Sequence, residues 1–292
     1  MKIDGVFSGG GLKGYALLGA YAALEERGYQ FERVAGTSAG AIVASFIAAG
    51  YTAAETERLL DELDPSMFLD ARTSMIPHPI VKWLRLYWKM GLYKGNALEN
   101  WFLEKLAYKG VYTFGDLPPN KLTLVASDLT HQKILVLPDD LPTYGIDPQS
   151  FPIARALRMS CGIPYVFEPV TIRNKQGETV IVDGGLLSNF PIWLFQNGKR
   201  SKSRPVIGLK LSSKMTAQKS QPIRNALQLF EALFSTMKNA HDERYISRTY
   251  EKNIVFIPVE HYRATDFHME DETKHQLFEV GKHQTEKFLS FW

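Results

Sequence analysis

The sequence predicts an α/β fold in which helices cover both faces of a central, mostly parallel β-sheet. Short apolar runs and longer segments of helical periodicity alternate as strand, helix, strand, helix over residues 3–49. Glycine-rich breaks follow the first two apolar runs, where a strand in such a sheet gives way to a helix. The 292 residues are 45% hydrophobic, which is enough to bury the core of one large three-layer α/β/α domain.

Each predicted element follows from this alternation. Residues 3–7 and 31–35 are short and apolar, as strands are, and residues 15–27 and 39–49 have the spacing of helices. Because a helix follows each strand, the two strands are expected to be parallel, with functional groups gathered at their carboxyl ends. Later strands are predicted at residues 122–126, 133–137, 179–182, 206–210 and 254–257, and later helices at residues 54–64, 222–250 and 272–290.

Charge and composition exclude several classes of protein. The 34 Lys and Arg residues against 31 Asp and Glu leave a net charge of +3, so charge does little to select a partner. The basic run at residues 199–204 contains no aromatic residues, so a solvated loop is expected there and no nucleic-acid partner. The single cysteine, Cys161, excludes an internal disulfide framework and Cys-rich zinc modules. The N-terminus lacks the apolar core of a signal peptide, and no apolar run approaches ~18 residues. We therefore expect a cytoplasmic protein that contacts membranes only peripherally.

The pentapeptide Gly36-Thr37-Ser38-Ala39-Gly40 has the Gly-x-Ser-x-Gly spacing of a nucleophile elbow. It lies between a predicted strand and a predicted helix, so Ser38 would stand at a helix N-terminus, where developing negative charge is stabilised. An ordinary helix N-cap serine has the same local pattern and needs no catalytic role. The pentapeptide alone leaves both interpretations open.

A glycine-rich loop, Gly9-Gly10-Gly11-Leu12-Lys13-Gly14, follows the first predicted strand. A P-loop requires Gly-Lys-Ser/Thr at the end of the motif, but Tyr15 follows Gly14 here. A dinucleotide site is disfavoured because the Ser38 pentapeptide occupies the end of the second strand. The backbone amides of such a loop suit an oxyanion hole, with a tight structural turn as the alternative.

Asp183-Gly184-Gly185 follows another predicted strand, so its carboxylate is expected at the same edge of the sheet. On its own, Asp-Gly is more typical of a turn than of a catalytic group. The motif therefore indicates chemistry only in combination with the glycine loop and the Ser38 pentapeptide.

Together with Ser160-Cys161-Gly162-Ile163-Pro164, these three motifs resemble the patatin-like phospholipases, in that family's order and over roughly residues 3–210. The resemblance implies a patatin-like fold and a Ser–Asp dyad that hydrolyses lipid esters through an acyl-enzyme, without metal or cofactor. It implies Ser38 as nucleophile and Asp183 as general base. It also implies an oxyanion-hole loop at Gly9, Gly10, Gly11, Lys13 and Gly14, with Gly36, Gly40, Gly184 and Gly185 as motif positions.

Two alternatives remain open. An α/β-hydrolase would use a Ser-Asp-His triad, in which the histidine follows the aspartate in the chain. Five late histidines are available for that role: His241, His261, His268, His275 and His283. The second alternative is a lipid-binding module that keeps the fold without catalysis.

The domain prediction is a single domain over residues 1–292. Residues 70–110 are predicted to be a lid or interfacial insertion, because residues 76–95 mix Lys and Arg with Trp and Tyr as membrane-contacting segments do. A helix packed against the domain is an equal alternative for this segment. Residues 211–292 lie outside the resemblance and are predicted to be a C-terminal α/β extension.

Overall fold

The computed structural model describes residues 1–62, 88–175, 177–195, 204–212, 251–259 and 270–292, with isolated positions between 223 and 242. The predicted helix at 222–250 and most of residues 70–87 and 199–204 lie outside these ranges. Within the described ranges, no helix combines the length and apolar character needed to cross a membrane.

The described strands and helices alternate through most of the chain. The strands are β1 (Lys2–Phe7), β2 (Gln30–Thr37), β3 (Gly91–Tyr93), β4 (Leu122–Asp128), β5 (Lys133–Leu137), β6 (Tyr165–Phe167), β7 (Val170–Asn174), β8 (Gly177–Asp183), β9 (Val206–Lys210) and β10 (Ile254–Phe256). The helices are α1 (Tyr15–Glu26), α2 (Ala39–Ala48), α3 (Ala53–Asp61), α4 (Asn96–Tyr108), α5 (Ile153–Ser160) and α6 (Asp271–Leu289).

The main sheet has the order β10-β9-β1-β2-β4-β8-β7, and β5 pairs with β4. The pairs from β10 through β4 are all parallel. In contrast, β5 and β8 run antiparallel to β4, and β7 runs antiparallel to β8. The prediction of a central, mostly parallel sheet flanked by helices is confirmed. Its register sets Phe7 opposite Gly36 and Ala126 opposite Asp183, so the ends of β1, β2 and β8 lie near one another.

Helix α1 is buried along nearly its whole length, from Tyr15 to Leu24. A helix that is apolar all round requires cover on every side. Helix α6 supplies part of that cover through a close backbone approach. A Cβ at Gly19 would lie 1.8 Å from the Phe278 carbonyl oxygen, and one at Gly281 would lie 1.8 Å from the Ala16 carbonyl oxygen.

Part of the predicted lid segment is packed secondary structure. Strand β3 pairs in parallel with β6 to form a separate two-stranded sheet. Helix α4 follows and buries one side through Leu98, Phe102 and Leu106. The guanidinium of Arg158 on α5 donates to the carbonyl oxygens of Lys94, Gly95 and Glu168. These bonds tie the start of α4 and the end of β6 to α5.

Candidate active site

Ser38 lies in a strained turn between β2 and α2. Its φ of 52° and ψ of −122° are unusual for a residue with a side chain. Gly36 and Gly40, two residues to either side, must be glycines because other backbone segments lie where their side chains would stand. A Cβ at Gly36 would lie 2.3 Å from the Gly40 carbonyl oxygen, and one at Gly40 would lie 2.3 Å from the Phe7 carbonyl oxygen. The local geometry is therefore a tight strand-to-helix turn packed against β1.

The Ser38 hydroxyl does not cap α2, although Ser38 occupies the N-cap position. It instead donates to Asp183 Oδ2 over 2.8 Å. The two residues are 8% and 2% exposed, respectively, so the bond is shielded from bulk water. The geometry thus differs from that of an ordinary capping serine and brings together the two residues that the resemblance pairs.

Asp183 is the last residue of β8, and its carboxylate is oriented from both sides. Its second oxygen, Oδ1, accepts the Gly185 N–H at 2.7 Å. Its main-chain carbonyl accepts the Ser127 hydroxyl at 2.9 Å, and its N–H donates to the Gly162 carbonyl. A Cβ at Gly184 would lie 2.2 Å from the Val125 carbonyl oxygen, so the turn after Asp183 also depends on close backbone contact. The strand end therefore fixes which oxygen faces Ser38.

Ser160 is part of the site, although its sequence motif assigned it no role. It is fully buried at the end of α5. Its hydroxyl accepts the Ser38 N–H at 3.0 Å and donates to the Val125 carbonyl at 2.6 Å. The sequence did contain a signal for this role, because Ser160 is a small polar residue in an otherwise apolar motif, and a buried hydroxyl requires hydrogen-bond partners.

Cys161, the next residue, donates from Sγ to the Ser38 carbonyl over 3.4 Å. Burial, together with the nearby Asp183 carboxylate, raises the pKa of its thiol well above the usual range. Only the thiolate is a strong nucleophile, so Cys161 is chemically inert at neutral pH.

The glycine loop lies directly against the nucleophile. A Cβ at Gly9 would be 3.3 Å from Ser38 Cβ. The Gly9 amide, which the resemblance assigns to the oxyanion hole, instead donates to the Asn189 carbonyl at 2.9 Å. Among the described residues, the amides of Gly10 and Gly11 have no hydrogen-bond partner. The candidate oxyanion donors therefore narrow to Gly10 and Gly11. Lys13 is half-buried in the short 3₁₀ turn Gly11–Gly14 that precedes α1, and Gly14 is buried there.

Two of the five late histidines fall in described segments. His275 and His283 are exposed on α6, which packs on α1. Neither hydrogen-bonds to Ser38 or Asp183 in the part of the chain that the structure describes. His241, His261 and His268 lie outside the described residues.

Comparisons with known proteins identify related sequences. A family model described as patatin-like phospholipase matches residues 5–195. The uncharacterized protein YqhO of Bacillus subtilis is 53% identical over 292 residues, covering 100% of this chain and 99% of YqhO. An uncharacterized NTE family protein of Mycobacterium tuberculosis is 28% identical over 190 residues, covering 64% of this chain and 27% of that protein.

Two solved structures have a similar fold. VipD from Legionella pneumophila has a TM-score of 0.58 and 20% identity, covering 99% of this chain and 67% of VipD. The type III effector ExoU of Pseudomonas aeruginosa has a TM-score of 0.52 and 17% identity, covering 99% of this chain and 53% of ExoU. At such identities, the likeness is evidence of a shared fold alone.

Proposed function

This chain belongs to the patatin-like phospholipase family, and we propose on that basis that it hydrolyses the carboxylic esters of lipids. The observation that carries the proposal is the 2.8 Å hydrogen bond from Ser38 Oγ to Asp183 Oδ2. This bond joins a strained serine turn to a strand-end carboxylate, and the glycine loop lies against the serine. A nucleophile within hydrogen-bond reach of an oriented base is the arrangement that acyl transfer requires.

In the proposed first step, Ser38 Oγ attacks the ester carbonyl carbon and its proton passes to Asp183 Oδ2. The carbonyl π electrons move to the oxygen, which becomes an oxyanion facing the Gly10 and Gly11 amides. Collapse of this intermediate breaks the bond to the alcohol, which leaves with the proton from Asp183. Water then attacks the acyl-enzyme in the same way, releasing the fatty acid and restoring the Ser38 hydroxyl.

A carboxylate with an ordinary pKa near ~3.9 is a weak base for a hydroxyl, so proton transfer alone accounts for little of the rate. Electrostatic stabilisation of the oxyanion is expected to be the larger contribution, and each well-placed donor is worth about 10²–10³-fold in kcat. Ser38 also stands at the N-terminus of α2, where the helix dipole favours developing negative charge.

The test combines labelling by a fluorophosphonate probe with hydrolysis of medium-chain p-nitrophenyl esters and phospholipids. We expect Ser38→Ala to abolish labelling and hydrolysis, and Asp183→Asn to reduce both sharply, because each removes a reacting group. Ser45→Ala is the matched control, since Ser45 is a buried serine in α2, the helix that follows Ser38, and its hydroxyl has no hydrogen-bond partner among the described residues. The proposal fails if Ser38→Ala is labelled and active like the wild type.

The same assay separates the alternatives. Single substitution of each late histidine should leave activity intact if Asp183 is the base. A loss as deep as that of Ser38→Ala would identify a triad instead. A wild-type chain that is folded but neither labelled nor active would indicate a non-catalytic lipid-binding module.

A further inference from the structure

A buried ion pair lies at the carboxyl end of β9, beside the end of β1. Lys210, the last residue of β9, places its Nζ 2.5 Å from Asp242 Oδ2. The two side chains are 10% and 2% exposed, respectively. Taking two charges out of water is costly, and the attraction between them offsets that cost only when the geometry is good and the remaining polar atoms are satisfied. The dyad chemistry uses neither residue, so the pair requires another explanation.

Asp242 also holds the main chain after the Asp183 turn. Its other oxygen, Oδ1, accepts the Phe190 N–H at 2.9 Å. The side-chain amide of Asn189 lies 3.5 Å from Oδ2, and Lys210 Nζ lies 5.4 Å from the centre of the Phe190 ring. The charged pair therefore fixes the peptide that joins Asn189 to Phe190.

That peptide touches the glycine loop directly. The Asn189 carbonyl accepts the Gly9 N–H at 2.9 Å. The Asn189 side-chain oxygen lies 2.5 Å from where a Gly9 Cβ would stand, so the two residues are in close contact. From the lysine side, the Leu211 N–H donates to Ser8 Oγ at 2.9 Å, and the Ser8 N–H donates to the Leu209 carbonyl at 3.0 Å. Residues adjacent to Lys210 in the chain thus bond to Ser8, and a residue that Asp242 contacts bonds to Gly9, at the start of the glycine loop.

We propose that Lys210 and Asp242 are positioning residues that hold the glycine loop in register, so that the Gly10 and Gly11 amides point at the oxyanion. The inference rests on the proposed function, because it concerns the same site. Both residues lie beyond residues 5–195, where the family model matches. The C-terminal part of the chain therefore contributes to the chemistry through Asp242. An apolar pair of similar volume would fill the space but could not accept the Phe190 N–H.

The test uses Asp242→Asn in the full-length chain. The asparagine keeps the shape and can accept the Phe190 N–H, but it leaves Lys210 without its counter-charge. We expect kcat for a p-nitrophenyl ester to fall about ten- to a hundred-fold, less than the ~10²–10³-fold effect of losing one oxyanion donor outright. The KM should stay within about twofold, because ground-state binding does not depend on these amides. Lys210→Met should act in the same direction, and the double variant should lose little more than the worse single variant.

Asp4→Asn is the matched control. Asp4 is fully buried in β1 and pairs with Arg33 of β2 and with Arg204, which precedes β9. Its neutralisation therefore also leaves a buried cation, Arg33, without its counter-charge within the same sheet. It precedes the glycine loop and makes no bond to it. We expect this variant to lose stability comparably but to keep its kcat once the folded fraction is taken into account.

Hydrogen exchange of the Gly9 amide provides a readout that does not require activity. We expect exchange to accelerate in Asp242→Asn and to stay at the wild-type rate in Asp4→Asn, because only the former loosens the Asn189 carbonyl that protects Gly9. The inference is overturned if the two variants match in both kcat and Gly9 exchange. If Gly9 exchange accelerates but the wild type hydrolyses no ester, loop positioning stands and the proposed function fails.

Discussion

Ser160 makes both of its hydrogen bonds to the main chain around Ser38 and β4. The positive φ of Ser38 is intrinsically unfavourable for a residue with a side chain, so its surroundings must hold it there. Part of that support is the Ser160 hydroxyl, which satisfies the Ser38 N–H. The nucleophile therefore depends on a residue 122 positions away in the chain.

We predict that Ser160→Ala lowers both stability and turnover. The substitution leaves a buried N–H and a buried carbonyl without a partner, which costs about 1–3 kcal/mol. A chain of this size should then lose roughly 2–4 °C in Tm for each kcal/mol. Because the Ser38 turn is also released, kcat should fall more than the unfolded fraction explains. Thermal unfolding and ester hydrolysis measure the two effects, with Ser45→Ala as control. A lower Tm with unchanged kcat per folded molecule would refute the positioning role.

At the scale of single residues, the Ser38–Asp183 pairing was implied by the resemblance, because each residue sits in a motif with characteristic neighbours. The sequence did not predict that Gly9 donates to Asn189, because that bond joins two motifs whose relative positions depend on the strand order. Nor did it predict the contacts of Asp242 with Lys210 and Phe190, which lie 32 and 52 positions away in the chain. The motifs therefore indicated which side chains would lie together, but not which backbone amides of the glycine loop would be left to bind an oxyanion.

The β3–β6 pair is the element most relevant to the predicted membrane contact. Its strands and their flanking residues expose large apolar side chains: Trp88 is 72% exposed, Met90 46%, Leu92 38% and Tyr165 51%. Tyr165 follows the Ser160–Pro164 motif by one position, so this surface is connected to the site through a short loop. Exposed aromatic side chains beside lysines suit the interface of a membrane. We propose that this pair contacts the lipid surface from which substrate is drawn.

We predict that Trp88→Ser combined with Met90→Ser weakens binding to anionic phospholipid vesicles, measured by co-sedimentation. Burial of apolar area in the interface should be worth about 25 cal/mol per Å², so burial of only ~55 Å² of these two side chains accounts for about tenfold in binding, and at least tenfold weaker binding is expected. Hydrolysis of a soluble p-nitrophenyl ester should stay unchanged. Tyr108→Ser is the control, because Tyr108 is 83% exposed at the far end of α4. Equal binding by the double variant and the wild type would rule out this surface.

Among the elements, those with a regular spacing of apolar residues or with clear strand boundaries were predicted well. The strands at 133–137 and 206–210 have the predicted bounds, and α6 differs from its prediction by one residue at each end. Helices α4 and α5 and strands β3, β6 and β7 were not predicted. Strands β3 and β6 have only three residues each, too few to give a local pattern, and Arg158 bonds to the main chain next to both of them. Likewise, no local pattern indicates that β8 runs antiparallel to β4, whereas β1, β2 and β4 run parallel to one another.

The family model ends at residue 195, yet the sheet and its cover extend further. Strand β9 pairs with β1, and β10 pairs with β9. Helix α6 packs on α1 at Gly19 and Gly281. Any larger side chain at either position would clash with the main chain of the other helix. Leu277 of α6 belongs to the same hydrophobic cluster as Phe7 of β1. On the basis of these contacts between described residues, we propose that the chain is a single domain to which the C-terminal part is essential.

We predict that a chain truncated after residue 212 does not fold cooperatively. It would expose the apolar α1, leave β9 as an edge strand and remove Asp242 from Lys210. Because domains are usually stable by only about 5–15 kcal/mol, exposure of a whole buried helix is expected to prevent cooperative folding. Circular dichroism should show a broad transition or none, and the fluorophosphonate probe should not label Ser38. A chain lacking only Phe291 and Trp292 is the control: it loses the ring contacts of Trp292 with Tyr29 and Phe288 but keeps α6, so it should unfold cooperatively at a lower Tm. A sharp, wild-type-like transition in the 212-residue chain would instead show that residues 1–212 fold independently and that the C-terminal part is a separate addition.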